Sequence, residues 1–177
     1  MLQIDYQLEE NDFLEFQLFA ASQSPLIAKK KRRSWLLLSL ASTALTVNFI
    51  FQQGGYLAVY FGVISVIIIL FYPRYINRQY KRHYIKHVRE NYVNRFGTIE
   101  HLEFHDDHLF VKDKIGEGTI NVSEVECVDE TPNHFFLKVS TGMSIVIPKN
   151  DLNNLNEIRE EFQRLGIVIN NHLDWKS

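Results

Sequence analysis

The apolar positions of this chain change period several times, and each change marks an element. Leu2, Ile4, Tyr6 and Leu8 alternate with polar residues, the period of a half-buried strand. From residue 9 to 21 the pattern turns helical through Phe13, Leu14, Phe16, Leu18 and Phe19, and Pro25 interrupts it. Asp12 and Glu15 resemble a capping box at the start of that helix. Two uncharged apolar runs follow, 34–51 and 56–72, separated only by Gln52-Gln53-Gly54-Gly55. As helices they would be about 25–27 Å long, against a bilayer core of about 30 Å. Past Pro73, residues Ile76, Tyr80, Tyr84, Val88 and Tyr92 repeat at fours, which predicts a helical stalk to about residue 95 whose stripe wraps slowly.

After Phe96-Gly97 the period becomes that of β-structure. Strands are expected over 98–105, 108–113, 119–128 (with a break near Ser123), 135–140 and 143–147. Turns are expected at Asp106-Asp107, 115–118, 131–134 and Thr141-Gly142. Pro148 closes the last strand, Asp151 or Asn153 caps a helix of Leu155, Ile158, Phe162 and Leu165, and Gly166 ends it. The expected core is Phe104, Phe110, Val122, Phe136, Val139, Ile145, Ile147, Ile158 and Phe162.

The pattern thus predicts a membrane α+β protein: a two-helix transmembrane hairpin, a juxtamembrane helical stalk, and a cytoplasmic antiparallel β-sheet of five strands capped by a C-terminal helix. Its parts are residues 1–28, a strand and helix packed on the C-terminal part; 29–72, a basic flank and the hairpin; 73–95, the basic stalk; and 96–177, the sheet and helix. The strand at 2–8 has no second layer of its own, so it is expected to add to an edge of that sheet. Phe16 and Phe19 are expected to rest on the stalk beside Tyr80, Tyr84 and Tyr92. Small residues on one face of each span, Ser39, Ser42, Thr43 and Thr46 against Gly54, Ala58, Gly62 and Ser65, suit close packing of two helices in lipid. Pairing within the hairpin is preferred over a dimer seam.

Charge sharpens this picture. A formal charge of −2 and a mean hydropathy of −0.15 hide a strong segregation. Residues 1–28 hold five acids and no Lys or Arg; residues 29–95 hold 12 of the 19 basic residues and one acid, Glu90. Residues 96–177 carry 7 basic residues against 15 acids. The basic residues Lys29, Lys30, Lys31, Arg32 and Arg33 precede the hairpin, and Arg74, Arg78, Lys81 and Arg82 follow it. With none in the turn, both termini are expected in the cytoplasm and the Gln52–Gly55 tip on the far side. Such a belt at a membrane is expected to meet anionic lipid rather than nucleic acid. The acidic opening of the chain does not resemble a cleavable signal peptide, so the first apolar run is expected to serve as the membrane signal.

The chemistry on offer is sparse. Neither span carries an ionisable residue, and no nucleophile elbow, phosphate loop, dinucleotide fingerprint or HExxH motif occurs, so no catalytic residue, cofactor or small-molecule substrate is indicated. His101, Glu103 and His105 fall on one strand face beside Asp107 and His108, a conceivable divalent-cation set; a solvent-facing strand side is the preferred reading. His83 and His87 have ligand spacing but no third ligand on their face. Cys127 is the single cysteine, which leaves no internal disulfide and suits a packed thiol in a reducing compartment.

The order of parts resembles the bacterial YcxB-like membrane proteins. The resemblance is carried by Leu102-Glu-Phe-His-Asp-Asp-His-Leu109, Ile120-Asn-Val-Ser-Glu-Val-Glu126, Glu130-Thr-Pro-Asn-His-Phe-Phe-Leu137 and above all Ile145-Val-Ile-Pro-Lys149. Val122 stands where related sequences often have Trp. The resemblance implies a C-terminal unit like a small pleckstrin-homology (PH) domain, at a bacterial inner membrane, and brings no activity with it. The expected function is therefore a non-enzymatic membrane protein whose PH-like domain binds a protein partner or another copy of itself. The alternative is an immunity or inhibitor protein against a toxin acting at the inner membrane. Lipid sensing by the domain itself is disfavoured by its net charge of −8.

Overall fold

The computed structural model describes residues 2–52, 54–114, 116–150, 152 and 154–176. It divides into two compact units: residues 1–17 with 87–177, and Leu18–Lys86. In outline the chain has two long apolar helices, then β-sheets and a C-terminal helix.

In the first unit, β1 (Gln3–Leu8) buries Ile4, Tyr6 and Leu8 on one side, as alternation requires. It pairs antiparallel with β2 (Thr98–Phe104), Leu8 opposite Thr98 and Gln3 opposite Glu103. β3 (His108–Lys112) and β4 (Glu117–Asn121) complete a sheet in the order β1-β2-β3-β4. A 3-10 turn at Val122–Glu124 then breaks the 119–128 run where a break was expected, near Ser123. β5 (Val125–Glu130) therefore belongs to a second sheet with β6 (His134–Val139) and β7 (Ser144–Pro148). A short β8 (Ile169–Asn171) joins β5 in parallel. The expected single sheet of five strands is thus corrected to two sheets of four among the described residues.

Helix α4 (Leu155–Arg164) closes the core between them. Its Ile158 and Phe162 are fully buried, and the Phe162 ring lies 5.5 Å from Phe104 and 5.9 Å from Phe135. Gly166 (φ 72°) supplies the left-handed residue that ends the helix, with Ile167 N donating to Phe162 O at 2.9 Å. The caps expected at Asp151 or Asn153, and part of the 115–118 turn, lie outside the described residues; Asn154 precedes the helix without a side-chain cap.

Of the expected core, Val122, which sits in the 3-10 turn, and Ile145 of β7 are only half-buried, and Phe110 and Phe136 need correcting for parity. In β3 Leu109 points inward and is fully buried, leaving Phe110 half-buried on the other face. In β6 both faces are buried: Phe135 meets α4, whereas Phe136 meets Phe16 of α1 (Glu10–Gln23) at 5.5 Å. A strand covered on both sides reads as a continuous apolar run, so alternation could not orient it. Phe16 accordingly rests on the sheet and not on the stalk. Phe13 is the residue that meets Tyr92, at 4.9 Å, and Phe96, at 5.8 Å.

The second unit is the helical pair. Ser24 caps α2 (Pro25–Phe51), accepting from Ile27 N at 3.4 Å with Pro25 in the first turn, so the basic run lies inside the helix. α3 (Gly55–Asn91) is a continuous helix of 37 residues that passes through Pro73. Proline lacks the N–H that would bind the carbonyl four residues earlier, that of Ile69. The indole N–H of Trp35 donates to Ile69 O at 3.3 Å and takes that place. Ser34 and Tyr72 share a 2.7 Å hydrogen bond, Thr46 and Ser65 one of 3.2 Å, and Phe49 stacks on Phe61 at 5.1 Å.

Burial of Phe162 on two aromatic neighbours makes it the sharper test of the core. Phe162→Ala should cost about 3–5 kcal/mol in denaturant unfolding, whereas the half-buried Phe110→Ala should cost markedly less. Equal losses would show that Phe110 is also a core residue.

Candidate functional site

Three polar constellations stand out in the first unit. The deepest centres on Glu130, 2% exposed at the end of β5. Lys149 Nζ donates to Glu130 Oε1 and to Thr131 O, both at 2.6 Å, and Arg159 Nη2 donates to Glu130 Oε1 at 2.6 Å. Both cations also lie over the Phe135 ring, Lys149 at 4.6 Å and Arg159 at 5.8 Å. Burial pushes the Glu130 carboxyl up, but the hydrogen bonds from Arg159 and Lys149 outweigh it and hold the group below the usual carboxylate range. Asp129 is held down similarly against burial by Lys138 at 2.6 Å, with Asn170 at 3.0 Å. On the adjoining face His134, buried at 2% exposure, sits between Asp12 at 2.8 Å and Glu15 at 3.2 Å, with its ring stacked on Phe136. The capping box expected at Asp12 and Glu15 does not form: the helix begins earlier, at Glu10, and Asp12 reaches back to accept from Glu9 N at 2.7 Å, while Glu15 is drawn to His134 and Asn133.

The second constellation lies in a cleft of about 680 Å³. Its apolar walls include Leu8, Phe13, Phe16, Val111, Ile145 and Val146, and the edge strands β4 and β7 both contribute to it. At its base Glu100, 3% exposed, accepts from Arg95 Nη2 at 2.9 Å and from the Tyr6 hydroxyl at 3.3 Å; Arg95 also reaches Asp113 at 3.1 Å. Burial raises the Glu100 carboxyl above its ordinary range, with Arg95 opposing, and burial together with Glu100 pushes the Tyr6 phenol well up. Residues 116–119 of the rim are exposed, and β4 ends its sheet beyond β3.

The third is the histidine face. His101 and Glu103 of β2 and His105 just past its end lie together, and Glu103 bridges the two rings, 2.8 Å from His101 and 3.1 Å from His105. Asp5 of β1 takes the other nitrogen of His101 at 2.5 Å. His105 stacks on His108 at 4.3 Å, and His108 pairs with Asp107 at 2.6 Å. Hydrogen bonds to Asp5 and Glu103 raise the His101 pKa. Among the described residues no group of three or more His, Cys, Asp or Glu is placed to hold a metal ion. Cys127 is half-buried, its thiol pushed up by burial and then by Asp129.

In the helical unit, Ser42 and Ser65 are buried, Thr46 and Gly62 meet across the pair, and Thr43 is exposed, turning back on Ser39 O. Ser39, Gly54 and Ala58 are half-buried. A further cavity of about 620 Å³ is lined by Lys30, Gln79, Tyr80, Arg82, His83 and Lys86.

Sequence reasoning missed the Glu130 and Glu100 clusters. A signal for the first was present, because Glu130 opens one of the stretches that carry the family resemblance and Lys149 ends another. Those two stretches are locked together by the Lys149–Glu130 ion pair and by Lys149 N donating to Asn133 O at 2.8 Å. Residues 104–162 match the family model described as YcxB-like protein, a span that contains both stretches. The chain thus carries a YcxB-like region, as its residues suggested. No curated protein and no solved structure matches the chain.

Glu130 gives this site a pH signature. A carboxyl held down in the folded state contributes stability above the usual carboxylate range and loses it as pH falls through the folded pKa. Glu130→Gln should therefore cost about 3–5 kcal/mol near neutrality, leaving Lys149 buried and poorly paired, and should shrink the loss of stability on acidification. Thermal unfolding as a function of pH reads both; an unchanged acid limb would assign it to other carboxylates.

Proposed function

We propose that this protein is a non-enzymatic, two-span protein of a bacterial inner membrane, whose PH-like cytoplasmic unit associates with a protein partner or a second copy of itself. Several features support the membrane reading. The spans of α2 and α3 carry Leu40 at 66% exposure and Leu70 at 63%, within windows that are only 6% buried, an apolar surface that lipid would cover. Basic residues flank both spans, and the folded unit is made of segments from both sides of the hairpin, which demands an even number of crossings. Two four-stranded sheets closed by a C-terminal helix support the PH-like reading. The basic belt would meet anionic lipid.

The observation that carries the association is the cleft beside β4. Its walls are apolar, its base holds the Glu100, Arg95 and Tyr6 cluster, and the adjoining edge strand has backbone open on one side. An extended segment could add to such an edge and place side chains in the cleft. Glu100 at the cleft floor is held by both Arg95 and Tyr6.

Thr119 and Met143 are exposed at the rim and suit a test that spares the core. The combined Thr119→Lys and Met143→Glu variant of the full chain should weaken crosslinked self-association or partner capture by roughly tenfold, with thermal unfolding unchanged. Association at wild-type strength would remove the cleft from the account.

A further inference from the structure

The cavity at the foot of the helical pair has an unusual lining. Lys30, Arg82, His83 and Lys86 surround Tyr80 and Gln79, and none of the six is acidic. The ring of Tyr80 is fixed from one side by Lys31, whose Nζ lies 4.6 Å above it and donates to Asn77 Oδ1 at 2.9 Å. His83 is held against Tyr84, ring centroids 5.8 Å apart.

Depth gives the cavity its meaning. The Ser34–Tyr72 hydrogen bond marks the polar end of both spans. Lys30 is one helical turn before Ser34, about 6 Å along the axis, and Gln79 to Arg82 lie about 10–15 Å beyond Tyr72. A headgroup layer extends roughly 5–8 Å beyond the hydrocarbon on each side, and Lys and Arg reach several ångströms further along their stems. Side chains lean toward the N-terminus of their helix. In α3 that direction is toward the bilayer, and in α2 it is away from it, so Arg82 and His83 lean up while Lys30 leans down. The two sets converge on one level.

We propose that this cavity is a site for the phosphate of an anionic phospholipid headgroup, with Lys30 and Arg82 as its principal ligands and Tyr80 as its floor. The inference rests on the reading that the hairpin spans the bilayer, and it goes beyond a diffuse attraction between a basic belt and a charged surface. A diffuse belt depends on how many charges it has; a site depends on which residues carry them.

The test uses the full chain in bilayer nanodiscs containing phosphatidylcholine with a minority of phosphatidylglycerol, and native mass spectrometry to count retained anionic lipid. The wild type should retain phosphatidylglycerol in preference to phosphatidylcholine. The Lys30→Gln/Arg82→Gln variant should lose that preference by about tenfold or more, as expected for two basic residues close to phosphate. The Arg32→Gln/Arg33→Gln variant, which removes the same charge from belt positions that do not line the cavity, should keep it. Equal loss in both variants, or no preference in the wild type, would overturn the site while leaving the membrane reading intact. Failure of the chain to enter nanodiscs at all would overturn that reading instead. Thermal stabilisation by inorganic phosphate in phosphatidylcholine alone, equal to that given by phosphatidylglycerol, would reassign the cavity to a soluble anion and overturn the lipid.

Discussion

The pairing of β1 with β2 is the constraint on which the rest of this molecule depends. It joins residues 3–8 to residues 98–103, so a continuous sheet is assembled from chain on both sides of the helical pair. Ile4, Tyr6 and Leu8 bury their side chains there, and the helix that follows β1 places Phe13 and Phe16 into the same unit. Without β1, Leu102 and Phe104 would sit on an open edge strand, and the apolar cleft would lose Leu8 from its wall. The hairpin is thereby an insertion between two parts of one folded body. On the proposed membrane reading, this connectivity would return both ends of the pair to one side, as the basic flanks would on their own.

Charge does a second kind of work inside that body. Glu130 faces two cations and Glu100 faces Arg95, each nearly removed from solvent. Buried ion pairs of this kind contribute little net stability, because desolvation offsets attraction, but breaking one leaves an uncompensated charge. Their effect is to fix which segments meet. Lys149 couples the end of β7 to the turn between β5 and β6, and Asp12 and Glu15 couple α1 to the start of β6 through His134. Both the Ile145–Lys149 stretch and the one that begins at Glu130 are held in place by these contacts.

Local period made several elements legible. The strand at β1, the helix after it, the two long apolar helices and the amphipathic α4 were all readable, since each has one buried face or an unbroken apolar run. Legibility failed where tertiary context decides. Phe110 and Phe136 were assigned to the α4 core, but strand parity sends Phe110 outward and a second covering layer buries Phe136 against α1. The division into two sheets turns on three residues at Val122–Glu124, and β8 is too short to announce itself. Of the site residues, the grouping of His101, Glu103 and His105 followed from alternation. The ion clusters did not, because Glu130 and Lys149, or Tyr6 and Glu100, meet only after folding.

The most direct test of the closed unit is an intramolecular crosslink across the β1–β2 seam in the full-length chain. Gln7 and Ile99 are register partners with exposed side chains, and Cys127 is the single native thiol to be replaced by Ser. With Gln7→Cys and Ile99→Cys, mild oxidation should form a disulfide within one chain, seen as a fast-migrating monomer on non-reducing gels. Crosslinks only between chains would show that β1 is exchanged between copies, and no crosslink would show that it leaves the sheet; either result would contradict the account.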